Sequence, residues 1–156
     1  MKANSRSLLK CIALPLLLAG LSWLLSRNGI SEFQYFIEPP LSPAPKIFIP
    51  VWLILSVSMG IASYLIHQAD TSHNSRFEAL FLYHLQLGSL FLWSVFFYRF
   101  HFFFVSFIWL LFLWAILWMT IQSFYVIRKS AGLLLLPYLL WISLYGYLNL
   151  LLSLLN

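Results

Sequence analysis

The stretch EPPLSPAPKIFIPVWLILSVSMG, from Glu38 to Gly60, decides how this chain is organised. Five prolines fall within positions 39–50, and an apolar run follows them at once. Proline lacks a backbone N–H, restricts φ and moves the preceding residue out of the helical region. We therefore predict a stiff, non-helical loop that leads into a membrane helix, with Pro50 tolerated in its first turn. Such a loop would hold Trp52 near one end of that helix, an arrangement that suits the lid of a pocket.

The composition indicates an integral membrane protein. The 156 residues are 62% hydrophobic and 8% charged, whereas about a quarter of the residues of a soluble domain are charged. Long, uniformly apolar runs predict helices rather than the alternating strands of a membrane barrel. We predict an all-α bundle of five transmembrane helices that forms a single membrane domain over residues 1–156, with spans at Leu8–Leu25, Ile47–Ile66, Ala79–Tyr98, Phe102–Ile127 and Leu133–Leu155.

The basic residues predict the orientation of the chain. More lysines and arginines flank the spans on the N-terminal side than on the other side, which favours a cytoplasmic N-terminus and an external C-terminus. The first run resembles a signal peptide in its basic flank, but no small-x-small site follows it, and we expect an uncleaved span. The net charge of +5 is explained by this flanking pattern and by contact with anionic lipid headgroups. We expect membrane lipids as partners and no nucleic acid.

The sequence has none of the common catalytic motifs. There is no phosphate-binding GxxxxGK[ST], nucleophile GxSxG, metal-binding HExxH or redox CxxC pattern. We predict no catalytic residue and no metal site, and Cys11 as the one cysteine forms no intrachain disulfide. None of the four acidic residues falls well inside a span, which weakens the case for an ion-coupled transporter.

Two polar residues lie deep in predicted spans. His84 either binds a ligand, haem included, or forms a hydrogen bond between helices. Asn149 in the last span has the same two interpretations, and its amide needs a partner on another helix or on a ligand.

The seven tryptophans divide into two groups. Four of them are typical of anchors at the membrane surface or of lipid-facing side chains. Trp52, Trp93 and Trp141 differ because each lies beside a polar or helix-disrupting residue. Three indoles that converge in a bundle would form a cavity for a flat aromatic ligand, because indole offers a stacking surface and one N–H donor.

Three segments together resemble the TspO/MBR family of tryptophan-rich sensory proteins and translocator proteins. They are EPPLSPAPKIFIPVWLILSVSMGIA at 38–62, LYHLQLGSLFLWSVFF at 82–97 and PYLLWISLYGYLNLLLSLLN at 137–156. The resemblance implies a five-helix bundle, often dimeric, that binds porphyrins and synthetic aromatic ligands beneath the first loop. It also implies a role in tetrapyrrole or lipid handling, and some bacterial members promote light-dependent breakdown of protoporphyrin. The ligand-contacting tryptophans of the family correspond to Trp52 and Trp141, and an aromatic wall of the pocket to Trp93.

The chain departs from the family pattern at several positions. Leu41 and Lys46 replace tryptophans of the loop, and Leu90 replaces an asparagine of the third span. Tyr145 stands where the fifth span usually has a small alanine, so it could fill or reshape the pocket. The segment Leu148–Leu155 lacks the tyrosine and the basic residue of the sterol motif, which itself is a weak pattern.

These observations lead to three functional hypotheses. The first is a receptor for a flat hydrophobic ligand, a porphyrin or other tetrapyrrole. The second is an enzyme that degrades porphyrin with light and oxygen, and the third is a transporter of lipid, sterol or metabolites. No cofactor is required, although haem or porphyrin is an expected ligand, and a homodimer is expected from the family alone. The predicted ligand-binding residues are Trp52, Trp141, Trp93, Phe48, Tyr138, Asn149 and His84.

Overall fold

The computed structural model describes residues 5–32, 35–37, 39–43 and 45–156. Within these ranges the chain is helical apart from short connections, and it contains no strand. The third helix continues into a π-helical turn, Val95–Arg99. The helices are α1 Ser5–Glu32, α2 Pro45–His67, α3 His73–Ser94, α4 Phe103–Ile127, α5 Lys129–Leu133 and α6 Leu136–Leu155.

The predicted all-α bundle with five membrane spans is confirmed. Five helical segments in the described residues are long and apolar enough to cross a bilayer. They are Ser5–Asn28, Ile47–His67, His73–Arg99, Phe103–Ile127 and Lys129–Leu155.

Several helix ends differ from the predicted spans. Helix α1 continues to Glu32 rather than ending at Leu25, and α3 begins at His73 rather than at Ala79. Hydropathy marks the part of a helix that suits lipid, whereas hydrogen bonding and capping decide where the helix ends. The start of α3 shows this, because the Ser72 hydroxyl accepts a hydrogen bond from the Ser75 N–H at 3.2 Å. This cap allows a polar first turn to precede the apolar run.

Helix α1 lies at the edge of the bundle, where it contacts α2, α3 and the π-helical turn. At one end it packs so closely on α2 that a Cβ added to Gly60 would lie 2.5 Å from the Ile12 Cα. At the other end the Arg99 guanidinium donates a hydrogen bond to the Leu25 carbonyl at 3.1 Å. Only 6% of the α1 span is buried, against 39–44% of the other four spans. A cavity lies among α1, α2 and α3 at this edge of the bundle.

The π-helical turn shapes the end of α3 that faces this space. The Phe100 N–H donates to the Val95 carbonyl at 3.3 Å, a bond that spans five residues. The wider turn brings the consecutive residues Phe97 and Tyr98 to the inner side of the bundle, where both line the cavity described below. Such turns are often found at functional sites.

Candidate ligand-binding site

A cavity of about 970 Å³ occupies the space among α1, α2 and α3. Its walls come from residues 15–26 of α1, 48–59 of α2 and 87–98 of α3 with the π-helical turn, and Tyr145, Leu148 and Leu152 of α6 complete them. The volume lies in the range of about 300–1,000 Å³ that is usual for small-molecule pockets. The lining is mainly apolar, and its polar groups include hydroxyls such as those of Ser22, Ser56 and Tyr98.

The proline-rich loop covers one end of this cavity, which we call the loop end. Phe36, Pro39, Ser42 and Pro43 contribute to the lining there. The Ser42 hydroxyl donates to the Pro39 carbonyl at 2.8 Å, which closes a tight turn in which Leu41 has a φ of 68°. A leucine in this region of φ is uncommon. The helix that follows begins earlier than predicted, at Pro45, so Pro45 is not part of the loop and Pro50 lies inside α2 rather than in its first turn.

An aromatic cluster forms the deep wall of the cavity. The Trp52 indole N–H donates to the Tyr145 hydroxyl at 3.3 Å, and the Tyr98 hydroxyl lies 3.3 Å from the same oxygen. The Trp93 ring stacks on Phe97 at 5.2 Å between centroids and meets the Tyr145 ring edge-on at 5.2 Å. These contacts are of the kind that stabilise aromatic cores.

Asn149 supports this wall from behind. With its amide oriented so that donors meet acceptors, Asn149 accepts a hydrogen bond from the Trp93 indole N–H at 3.0 Å and donates to the Phe103 carbonyl at 2.8 Å. Its side chain is completely buried. Of the two interpretations of Asn149, the contacts match the bond between helices, and this bond holds the Trp93 ring in place.

The structure brings three of the seven predicted binding residues to the cavity. Phe48, Trp52 and Trp93 line it. The other four, Trp141, Tyr138, Asn149 and His84, are not part of the lining.

Two of these four lie just outside the aromatic wall, and His84 lies on α3 before the first lining residue of that helix, Leu87. Trp141 packs against Tyr145 at 5.6 Å and against Phe48 at 6.1 Å. Tyr138 packs against Trp52 at 6.3 Å. His84 is exposed, and its Nδ1 lies 2.6 Å from the Leu80 carbonyl of the same helix. That bond within one helix is neither of the two roles predicted for His84.

Sequence reasoning missed the contribution of α1. Ser22 and Ser26 lie one helical turn apart and face the cavity, together with Ala19 and Gly20. A face of small and hydroxyl-bearing residues in an otherwise leucine-rich span was the available signal. Tyr98 was also missed, because at the end of a span it is typical of a membrane-surface anchor.

The cavity carries no charge among its described lining residues. The nearby charged groups lie beyond its loop end, where Glu32, Arg99 and Asn28 form a shallow groove with Leu25 and Phe100. The Glu32 carboxylate there lies 3.6 Å from the His101 Nδ1. Because an unpaired charge is costly in an apolar site, a ligand with ionised groups would have to place them in this groove.

The cavity also opens sideways between α1 and α2. Trp23, Ile49 and Leu53 line it and are nonetheless 57%, 66% and 52% exposed. These residues lie within membrane-spanning segments. The opening therefore faces the lipid region of a bilayer.

The chain was compared with known proteins. The sequence model of the TspO/MBR family matches residues 11–155. The chain is 31% identical over 127 residues to the translocator protein homolog of Schizosaccharomyces pombe, covering 80% of this chain and 77% of that protein. It is 31% identical over 117 residues to the tryptophan-rich protein TspO of Chlorobaculum tepidum, covering 75% and 74%. It is 30% identical over 132 residues to the tryptophan-rich protein TspO of Archaeoglobus fulgidus, covering 84% of each.

Proposed function

Because the chain belongs to the TspO/MBR family, we propose that this integral, multi-pass membrane protein is a receptor for a flat hydrophobic ligand of the porphyrin type. The ligand would occupy the cavity beneath the proline-rich loop. The observation that carries this proposal is the aromatic wall of Trp52, Trp93 and Tyr145 on a cavity of about 970 Å³. Flat faces of this kind suit a planar ligand.

The binding energy would come mainly from burial of apolar surface, at about 25 cal/mol per Å². A rigid site reduces the ordering cost that otherwise offsets such burial. The loop turn at Pro39–Ser42 and the support of Trp93 by Asn149 both favour a rigid site.

The test is a titration of the purified protein in lipid nanodiscs with protoporphyrin IX, followed by the absorption of the porphyrin. We expect saturable binding that Trp52→Phe weakens about two- to tenfold, because the variant loses stacking area and an N–H donor. Trp118→Phe is the matched control, since Trp118 is a partly exposed residue stacked on Trp114 and does not line the cavity. Binding that does not saturate, or equal Kd values for wild type and Trp52→Phe, would reject this site.

A second candidate function is movement of a hydrophobic molecule between the bilayer and the cavity. The sideways opening at Trp23, Ile49 and Leu53 favours it, and one relative is named a translocator protein homolog. Liposomes that contain the purified protein would show faster transfer of porphyrin between leaflets than liposomes without it. Equal transfer rates would exclude this function for porphyrin.

The proposal also includes the orientation of the chain in the membrane. The positive-inside rule favours a cytoplasmic N-terminus, which would put the loop end of the cavity on the external side. A single cysteine at Leu41, which is 80% exposed, in a Cys11→Ser background would then react with a membrane-impermeant maleimide in intact cells. Reaction only after the cells are opened would reverse the orientation.

A further inference from the structure

Three buried side-chain oxygens near the middle of the bundle have no hydrogen-bond partner among the described residues. They are the hydroxyl oxygens of Tyr83 and Tyr138 and the Oε1 of Gln86. Each of these residues is at most 1% exposed, and each lies near the middle of its membrane-spanning segment. Lipid cannot satisfy a polar atom at this depth, so an unpaired oxygen there is unfavourable. The three atoms therefore indicate a place where a hydrogen-bonding group binds.

The three residues lie close together. Tyr83 and Gln86 are three residues apart on α3 and therefore share one side of that helix. Tyr138 belongs to α6, and its hydroxyl is close enough to that of Tyr83 for the two groups to interact electrostatically. We call these three residues the polar cluster.

The polar cluster adjoins the end of the cavity that lies farthest from the loop. The lining of α2 ends at Met59 and that of α3 begins at Leu87, the residue after Gln86. The Gln86 Nε2 donates a weak hydrogen bond to the Met59 sulfur at 3.7 Å, and the Tyr138 ring packs against the lining residue Trp52 at 6.3 Å. Methionine is unbranched and adaptable, so the barrier between the cavity and the polar cluster includes a movable side chain.

The chemistry of the polar cluster suits an uncharged oxygen. Tyrosine hydroxyls donate and accept hydrogen bonds, and the Oε1 of glutamine accepts them. A hydroxyl group or a water molecule can therefore donate to Gln86 and accept from a tyrosine at the same time. No aspartate, glutamate, lysine or arginine lies between Glu78 and Arg99 on α3 or after Lys129 on α6. Nothing in these two segments would offset the cost of burying an ion.

We propose that the polar cluster is a subsite, at the inner end of the cavity, for one uncharged hydrogen-bonding oxygen. The oxygen belongs either to a hydroxyl group at the inner end of a bound ligand or to an ordered water molecule. A ligand with such a group would place its flat apolar part against Trp52 and its hydroxyl beyond Met59. The ligand form of this inference rests on the proposed function, whereas the water form does not.

The first experiment compares two flat fluorescent probes, pyrene and 1-pyrenemethanol, which differ by one hydroxymethyl group. Both are titrated against the full chain in lipid nanodiscs. Relative to the Tyr83→Phe/Tyr138→Phe variant, the wild type should bind the alcohol about three- to tenfold more tightly, because the variant lacks the hydroxyls that bond to the probe. Both proteins should bind pyrene equally.

Two further variants complete this experiment. Gln86→Met keeps the length of the side chain but removes its Oε1, and it should also reduce the preference for the alcohol. Tyr147→Phe removes the hydroxyl of a partly exposed tyrosine of α6 and should keep the wild-type Kd values for both probes.

The second experiment concerns the protein without a ligand. A crystal structure of the wild type should show an ordered water within about 3.2 Å of at least two of the three oxygens of the polar cluster. Thermal unfolding gives an independent readout. Tyr83→Phe and Tyr138→Phe should each lower Tm relative to Tyr147→Phe, because removal of a satisfied buried hydroxyl leaves the bound oxygen with one partner fewer.

The outcomes distinguish the two sources of the oxygen. A preference for the alcohol that the double variant abolishes assigns the subsite to the ligand. An ordered water without such a preference assigns it to water. If the wild type shows no preference for the alcohol and the crystal structure shows no water at the polar cluster, the subsite is wrong. A higher Tm in both tyrosine variants would also contradict it, since only the removal of an unpaired hydroxyl stabilises the fold.

Neither experiment uses a porphyrin. Failure of protoporphyrin IX to bind would therefore reject the proposed porphyrin ligand and leave the polar cluster as a subsite. A saturable porphyrin site in a protein that shows neither the water nor the preference for the alcohol would do the reverse.

Discussion

The side-chain amide of Asn156 pairs with both backbone groups of Ile37. The Asn156 Oδ1 accepts from the Ile37 N–H at 2.9 Å, and its Nδ2 donates to the Ile37 carbonyl at 3.4 Å. These bonds join the end of α6 to the loop that covers the cavity. Phe36, which neighbours Ile37, lines the cavity, so the position of the lid depends on a residue far away in the sequence.

The first prediction concerns this lid. Asn156→Ala removes both bonds, each of which contributes about 0.5–1.5 kcal/mol. We expect the dissociation rate of bound porphyrin in stopped-flow measurements to rise by up to about tenfold. Ser153→Ala is the control, because the Ser153 hydroxyl bonds to the Leu150 carbonyl of the same helix. Equal dissociation rates in Asn156→Ala and wild type would show that the loop does not limit release.

The second prediction concerns the contact between α1 and α2. Gly60→Ala would put a Cβ 2.5 Å from the Ile12 Cα and 2.9 Å from the Cys11 carbonyl oxygen. Because backbone atoms cannot rotate away, the helices must separate, at a cost of about 1–3 kcal/mol. Thermal unfolding followed by near-ultraviolet circular dichroism should show a lower Tm.

Gly88→Ala is the matched control for this change, since an added Cβ meets nothing within 4 Å there. Its Tm should be equal to that of wild type or higher, because alanine favours helix over glycine. A Tm for Gly60→Ala as high as that of Gly88→Ala would contradict the close packing of α1.

The third prediction compares the two polar residues that the sequence singled out. Asn149→Leu leaves the buried Trp93 indole N–H without its acceptor, and an unsatisfied buried group costs about 1–3 kcal/mol. His84→Leu should change the free energy of unfolding by less than about 0.5 kcal/mol, because this histidine is exposed. Denaturant unfolding of both variants would check that Asn149→Leu lowers the free energy of unfolding more than His84→Leu does. A larger decrease in His84→Leu would reverse our assignment of the roles of the two residues.

The fourth prediction concerns ligand charge. Arg99 lies in the groove beyond the loop end of the cavity, next in sequence to the lining residue Tyr98. Arg99→Gln should weaken binding of protoporphyrin about two- to fivefold, the range for an exposed ion pair. The uncharged dimethyl ester should bind both proteins equally.

Arg128→Gln is the control for this charge effect. Arg128 is an exposed residue at the other end of α4, so its loss should affect neither ligand. If Arg99→Gln lowered the affinity for protoporphyrin and for its dimethyl ester equally, Arg99 would act through packing and not through its charge.

Much of the fold could be predicted, because the length of an apolar run is visible in consecutive residues of the sequence. All five spans were recognised from runs of apolar residues, and the rigid loop from its prolines. The start of α3 could not be predicted from hydropathy, since a polar turn that is capped by Ser72 precedes the apolar run.

The candidate site was predicted only in part. Trp52 and Trp93 were recognised by the disrupting residues beside them and do line the cavity. Trp141 also lies close to a helix-disrupting residue, Pro137, and was predicted for the same reason. Whether Trp141 or Tyr145 lines the cavity, however, depends on which of them lies closer to α2 and α3. The part of α1 that lines the cavity was missed because its leucines and serines resemble those of any lipid-facing helix.

Local sequence patterns were enough to predict the membrane environment, the number of spans and a proline-rich loop next to an aromatic residue. The membrane environment and the spans follow from the free energy of transferring consecutive apolar residues into lipid. The loop follows from the restricted φ angle of proline. The cavity among α1, α2 and α3, and the place of Tyr145 rather than Trp141 in its lining, were visible only in the three-dimensional arrangement of the helices. Those features arise from contacts between helices distant in sequence, such as Gly60 with Ile12 and Trp52 with Tyr145, which no local pattern encodes.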